Sequence, residues 1–175
     1  MRGGRSFRTD SMMHHDSHIV LPEVTIQEYI PEHQPWFERL NRAWIEQYFW
    51  MEPIDFEVLQ HPEEHIIAPG GKILMAVVGE EIAGTVALKY VSPGVYEFTK
   101  MAVDEKFRGR KVGWTLALAA IELAKVSDAH SIILYSSTKL APALSLYRKI
   151  GFRDVPVDGP YKRSDVKMVL ALQHE

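Results

Sequence analysis

Residues 111–126, KVGWTLALAAIELAKV, predict a helix that is apolar on nearly every side. Its polar side chains, Lys111, Thr115, Glu122 and Lys125, share one narrow stripe, and almost everything else is Ala, Leu, Val, Ile or Trp. Such a helix must be covered on most sides, which commits the chain to a layered core around it. The layer is written in the strands. Lys72–Val78 and Ile82–Tyr90 are rich in Val, Ile, Leu and Ala and are separated by Gly79-Glu80-Glu81, the pattern of a hairpin. Ser92-Pro93-Gly94 turns the chain into a third run, Val95–Val103. Ser131–Tyr135 follows the helix as a buried strand and completes a βαβ-like unit, and two more strands are expected at 152–157 and 166–172. The fold class is therefore α/β (α+β), a single mixed, mostly antiparallel twisted sheet flanked by helices. At 175 residues the chain has room for one domain with a sizeable core.

Upstream, residues 1–18 lack apolar periodicity and read as a disordered leader or cloning remnant, leaving 19–175 as the domain. Ile19–Ile26 is expected as a first strand, interrupted at Pro22. From Pro35, Trp36, Leu40, Trp44 and Tyr48 recur every four residues as an amphipathic helix, which Pro53 should end. A short helix near Asp55 and a helical start at Pro62 should follow. A last helix from Leu140 to Ile150 has Pro142 in its first turn and Gly151 just past its end.

The chain has no cysteine, which removes disulfides, thiolate nucleophiles and cysteine-based metal sites together. Lys and Arg number 20 against 23 Asp and Glu, so no basic excess favours nucleic acid. No apolar run reaches the roughly 18 residues that span a bilayer, and a cytoplasmic location without membrane partners is expected. His61-Pro62-Glu63-Glu64-His65 places proline where a zinc helix needs glutamate, so no metal is expected.

Chemistry concentrates in residues 101–113, where a strand ends, a loop with Gly109 and several basic residues follows, and a helix opens. Amides at a helix start have no internal partners and sit at the positive end of the dipole, so they suit a pyrophosphate. Gly109 and Gly113 let the backbone come close, while Arg108, Arg110 and Lys111 add charge. Neither a Walker A loop nor Gly-x-Gly-x-x-Gly is present.

Here the sequence resembles the GNAT superfamily of acyl-CoA-dependent N-acyltransferases. The family's coenzyme motif, Gln/Arg-x-x-Gly-x-Gly/Ala, is matched by Arg108-Gly109-Arg110-Lys111-Val112-Gly113, except that Lys111 replaces the first glycine. Its second motif, Ala-x-x-Leu-Tyr-x-x-x-Gly-Phe, is matched in full by the segment from Ala143 to Phe152. Leu140 stands where the family often carries asparagine, so one polar contact is missing.

The resemblance implies a splayed central strand pair and acetyl-CoA (coenzyme A) as co-substrate. The exposed backbone of Met101, Ala102 and Val103 would pair with the pantetheine arm as an added strand. Arg108 to Gly113, with Trp114 and Thr115, would hold the pyrophosphate. Ala143 and Leu146 would line the arm, and Tyr147 would protonate the departing thiolate. The Val103 amide is a candidate oxyanion donor. Glu97 lies where some members carry a catalytic glutamate and is the candidate base; burial or a bridging water would be needed to tune it. Lys100, on the opposite face by parity unless a bulge intervenes, reads as structural.

The activity implied is N-acetyl transfer by direct attack of a primary amine, carried by a small molecule or a peptide. A non-catalytic acyl-CoA-binding or sensing domain on the same scaffold is the alternative. The acceptor's identity has no transferable motif, and a homodimer is left open.

Overall fold

In the computed structural model, residues 22–159 and 161–173 are described; the leader and the start of the expected first strand lie outside them. Seven strands form one sheet: β1 Val24–Glu28, β2 Lys72–Val78, β3 Glu81–Ser92, β4 Val95–Val103, β5 Ser131–Ser136, β6 Arg153–Val155 and β7 Val166–Ala171. Their spatial order is β1-β2-β3-β4-β5-β7-β6. Every neighbouring pair is antiparallel except β4 and β5, which the helical crossover makes parallel. The helices are α1 Gln34–Tyr48, α2 Pro53–Gln60, α3 Val112–Val126 and α4 Ala141–Ile150.

Strand alternation divides the core in two. Leu74, Ala76, Val86, Leu88 and Phe98 face α3 and α4, where they meet Val112, Leu116, Ala120, Leu144 and Tyr147. Ile73, Met75 and Ala87 point the other way and pack with Phe37 and Ile45 of α1, Leu59 of α2 and Ile66. Each face of the sheet thus carries its own helical layer, and the two layers belong to different parts of the chain.

Four expectations shift. Pro53 opens α2 rather than closing α1, which ends at Tyr48 where Phe49 goes extended; a proline that cannot continue a helix is at home in a first turn. The turn after Pro62 is a single wide one, Glu63–Ile67. The strand expected at 152–157 shortens to Arg153–Val155, because β6 is an outer strand with partners only on β7. Finally, α3 is covered on its sheet side but leaves Trp114 and Leu118 open, and Val126 is 76% exposed. Only one layer lies against it, and a folded surface is commonly half apolar anyway.

Candidate active site

The parallel pair β4–β5 is joined only at Val95↔Ser131, Tyr96↔Ile132 and Glu97↔Ile133. Beyond Glu97, β4 continues to Val103 and β5 to Ser136 without pairing each other, so the sheet opens into a gap. One edge of the gap is the outer backbone of β4. The Asp104 amide donates to the Ala83 carbonyl at 2.8 Å. Antiparallel bonding alternates along a strand, so the Val103 amide turns away from β3 and into the gap. Ala102, by the same alternation, offers its amide to Thr85 on β3 rather than to the gap.

On the α3–α4 side, several expected residues converge. A Cβ built on Gly113 would lie 3.7 Å from Leu146, 3.8 Å from Val103 and 3.9 Å from Met101. Gly113 therefore sits at ordinary contact distance from the strand end and from α4. Ala143 and Leu146 are half-buried beside it on α4. The ladder of α3 begins with the Thr115 amide donating to the Lys111 carbonyl at 3.0 Å, so the amides of Val112, Gly113 and Trp114 have no intrahelical partner. The Thr115 hydroxyl is turned back onto that carbonyl at 2.8 Å. Arg108 is exposed, Gly109 has open space around it, and Arg110 donates to the Pro22 carbonyl at 3.0 Å.

Lys111, the departure from the motif, adopts φ 59° and ψ 25° as the residue before α3. This is the left-handed region, where a side chain costs about 1–2 kcal/mol and glycine costs none. The motif's glycine is thus explained by backbone geometry, and the lysine retains the turn at an energetic cost. Lys111→Gly is expected to raise stability by about 0.5–1 kcal/mol, the relieved strain less the glycine's larger unfolded-state entropy. A urea titration of both proteins reads this difference directly.

The second motif is a clamp. Gly151, at φ 120°, ends α4 and lets the amides of Gly151 and Phe152 turn back to the Tyr147 carbonyl, at 3.2 and 3.0 Å. The Phe152 ring then meets Tyr147 edge to face at 5.9 Å, and Phe98 of β4 completes the cluster at 5.6 Å from Tyr147. These contacts fix the ring, and among the described residues its hydroxyl has no hydrogen-bond partner. Burial pushes the phenol's pKa well above its ordinary value, so the group holds its proton.

Glu97 lies on the opposite face of β4 from Phe98, hence on the opposite face from Tyr147. It is 6% exposed, and burial raises its pKa; hydrogen bonds from Tyr161 and Thr99 and the charges of Lys89 and Lys100 oppose the rise. The Tyr161 hydroxyl spans both carboxylate oxygens, at 3.0 and 3.1 Å.

A bulge does intervene at Lys100. The register runs from Ala87↔Thr99 to Thr85↔Ala102, so Lys100 and Met101 together oppose Val86, and Lys100 takes φ 55°. The alternation resets: Met101 and Val103 join the α3–α4 core, while Lys100 senses Glu97, Asp55 and Arg163 instead. The parity reading that set it apart from Glu97 is therefore corrected.

Two further residues were missed. Tyr161 and Arg163 come from the β6–β7 loop, which folds back over the Glu97 face. Arg163 forms a 2.8 Å ion pair with the buried Asp55 of α2 and donates to the Trp50 carbonyl at 2.9 Å. Asp55 also accepts from the Glu52 amide at 2.8 Å. Among the described residues, no group of three His, Cys, Asp or Glu is placed to hold a metal ion, and no helix is long and apolar enough to cross a membrane.

Comparison with known proteins agrees with this geometry. Residues 33–152 match the model of the Acetyltransferase (GNAT) family. An uncharacterized N-acetyltransferase, YvbK, from Bacillus subtilis is 33% identical over 107 residues, covering 59% of this chain and 69% of that protein. The crystal structure of a GNAT-family acetyltransferase from Staphylococcus aureus superposes with a TM-score of 0.79 at 20% identity, over 86% of this chain and all of that one. PaiA N-acetyltransferase from Thermoplasma acidophilum, solved in complex with coenzyme A, gives 0.68 at 20% identity over 86% of this chain and 99% of its own. The chain spans less than half the length of the N-acetylaspartate synthetases and mycothiol acetyltransferases that it also matches. With 120 consecutive positions inside the family model and the divided sheet in place, the chain belongs to the acetyltransferase (GNAT) family and is an acyltransferase.

Proposed function

We propose that the protein transfers an acetyl group from acetyl-CoA to a primary amine by direct attack, with no covalent enzyme intermediate. The observation that carries this reading is the gap beyond Glu97, with a buried carboxylate on one face of the sheet and a protonated tyrosine on the other. Acetyl-CoA supplies the activated acyl group as a thioester.

The pantetheine arm would run past Gly113, with Met101 and Val103 of β4 on one side and Leu146 of α4 on the other. The free amides of Val112, Gly113 and Trp114, with Arg108 and Lys111, suit the pyrophosphate. The Val103 amide faces the gap as a donor for the acetyl oxygen. Glu97 accepts the proton that the ammonium must lose before it can attack, an amine's ordinary pKa being about 10. Tyr147 holds a proton for the departing sulfur from the other side.

The test measures thiol release from acetyl-CoA across a panel of amines. Amine-dependent release supports the reading; tight coenzyme binding with no transfer to any amine favours the non-catalytic alternative.

Glu97→Gln has a two-part expectation. Turnover falls by about a hundredfold or more, and the rise of rate with pH through the carboxyl's titration disappears. Stability moves the other way. A carboxyl whose folded pKa is raised contributes most below its unfolded pKa of about 4.3 and loses that contribution as pH rises through the folded pKa. At neutral pH the buried charge is therefore a cost, and the glutamine variant should melt no lower than the parent. Paired thermal melts and pH–rate profiles check both parts.

A further inference from the structure

The carboxylate that serves as base in the proposed reaction is held by a side chain far away in sequence. The Tyr161 hydroxyl donates to both oxygens of Glu97, at 3.0 and 3.1 Å, across 64 residues. Glu97 is only 6% exposed, and a carboxylate so placed has lost hydration that hydrogen bonds and nearby charges must replace. A phenol suits that task. Burial and the neighbouring carboxylate raise its pKa above the ordinary value, so Tyr161 keeps the proton it donates.

The backbone on either side of Tyr161 is pinned. Before it, Gly159 comes so close to Tyr135 of β5 that a Cβ there would lie 2.8 Å from the Tyr135 hydroxyl. The Tyr161 ring itself packs edge to face on Tyr135, with centroids 5.0 Å apart. After it, Arg163 pairs with Asp55 of α2 at 2.8 Å, donates to the Trp50 carbonyl at 2.9 Å and lies over the Phe49 ring. Asp55 is 2% exposed, so releasing Arg163 would strand a buried charge. Neither anchor uses the Tyr161 hydroxyl, which is therefore brought to Glu97 by the loop rather than holding the loop in place.

We propose that Tyr161 is a positioning residue for the reaction: its hydroxyl holds the Glu97 carboxylate in the charged, proton-accepting form. This inference rests on the acetyltransfer reading and adds a residue behind its base. Other groups act on the same carboxylate. Lys89 stands across from it on β3, Lys100 and Thr99 act from β4, and β5 opposes it with Ile133. Asp55, from α2, is already taken up by Arg163. Removing the Tyr161 hydroxyl deletes one bond to the carboxylate and leaves all those charges in place. Because that bond favours the charged form, its loss raises the pKa of Glu97, and the base fills with protons at a higher pH. Tyr161 is 38% exposed, so water takes over part of the hydroxyl's role and keeps the effect moderate.

The experiment compares Tyr161→Phe, which keeps the ring on Tyr135, with the parent in two titrations. The first follows the Glu97 carboxyl carbon by carbon-13 NMR in the protein without coenzyme, its resonance identified as the one missing from Glu97→Gln. The second follows kcat/KM against pH by thiol release from acetyl-CoA, with each amine of the panel that supports release. Both midpoints should move to higher pH in the variant. On the acid side kcat/KM should then fall about three- to tenfold, and on the alkaline side it should return to the parental value. Coincident carbon midpoints overturn the proposal. A loss of the same size at every pH overturns it too, since that makes Tyr161 an acceptor contact or a packing residue. If the carbon midpoint moves and the rate limb does not, Glu97 is not the base, and the proposal falls with that assignment. Absence of thiol release with every amine removes the acetyltransfer reading itself, a result told apart from the others by the carbon titration.

Discussion

Tyr147→Phe lowers turnover by about 10²- to 10⁴-fold, the usual contribution of a positioned general acid, while stability and coenzyme binding stay close to those of the parent. The substitution removes one oxygen and little else. The hydroxyl has no hydrogen-bond partner among the described residues, so its loss orphans none of them. The ring contacts to Phe98 and Phe152 are edge-to-face and survive in phenylalanine. What disappears is the phenolic proton, which burial holds in place and which the proposed reaction would hand to the departing thiolate. Steady-state rates, coenzyme titration calorimetry and a thermal melt on the same preparation separate these effects. A variant with parental turnover would remove Tyr147 from the chemistry and leave it a packing residue.

Phe152→Ala should have the largest effect on folding, about 3–5 kcal/mol. The side chain is 3% exposed and wedged beneath Tyr147 and Phe98, so truncation leaves a cavity lined by aromatic edges. For a domain of this size the melting temperature should fall by roughly 10 °C or more. Turnover should fall as well, because the ring that aims Tyr147 loses its support. Phe152→Leu, which fills most of the volume, should recover most of the stability. Urea unfolding of both variants distinguishes a lost wedge from a generally weakened core, since only the former spares the leucine form.

These two residues were legible because their signal is local. A tyrosine, a glycine four residues on and a phenylalanine next to it encode a helix end that folds back on itself, and that geometry is complete within ten residues. The bounds of β2 and β4 were equally readable, since apolar runs closed by turn glycines leave little freedom. The bulge was not. Lys100 adopts a conformation that the residue type does not advertise, and one inserted residue reverses the facing of Met101 and Val103. Tyr161 and Arg163 were invisible for a different reason: they sit in a loop without periodicity, and their partners lie 64 and 108 residues away in sequence. Only the closed fold brings them to Glu97 and Asp55. The Glu97 face is built from such distant meetings, whereas the surroundings of Gly113 are built from one continuous strand, loop and helix.

The parted strands have a consequence for traffic. In the proposed reaction the donor on the α3–α4 face and the acceptor on the Glu97 face would approach from opposite sides of the sheet, so neither would have to leave before the other arrives. The spent carrier would then withdraw past α3 and α4 and the acylated product beneath the β6–β7 loop. The order of their exits would be set by each side alone.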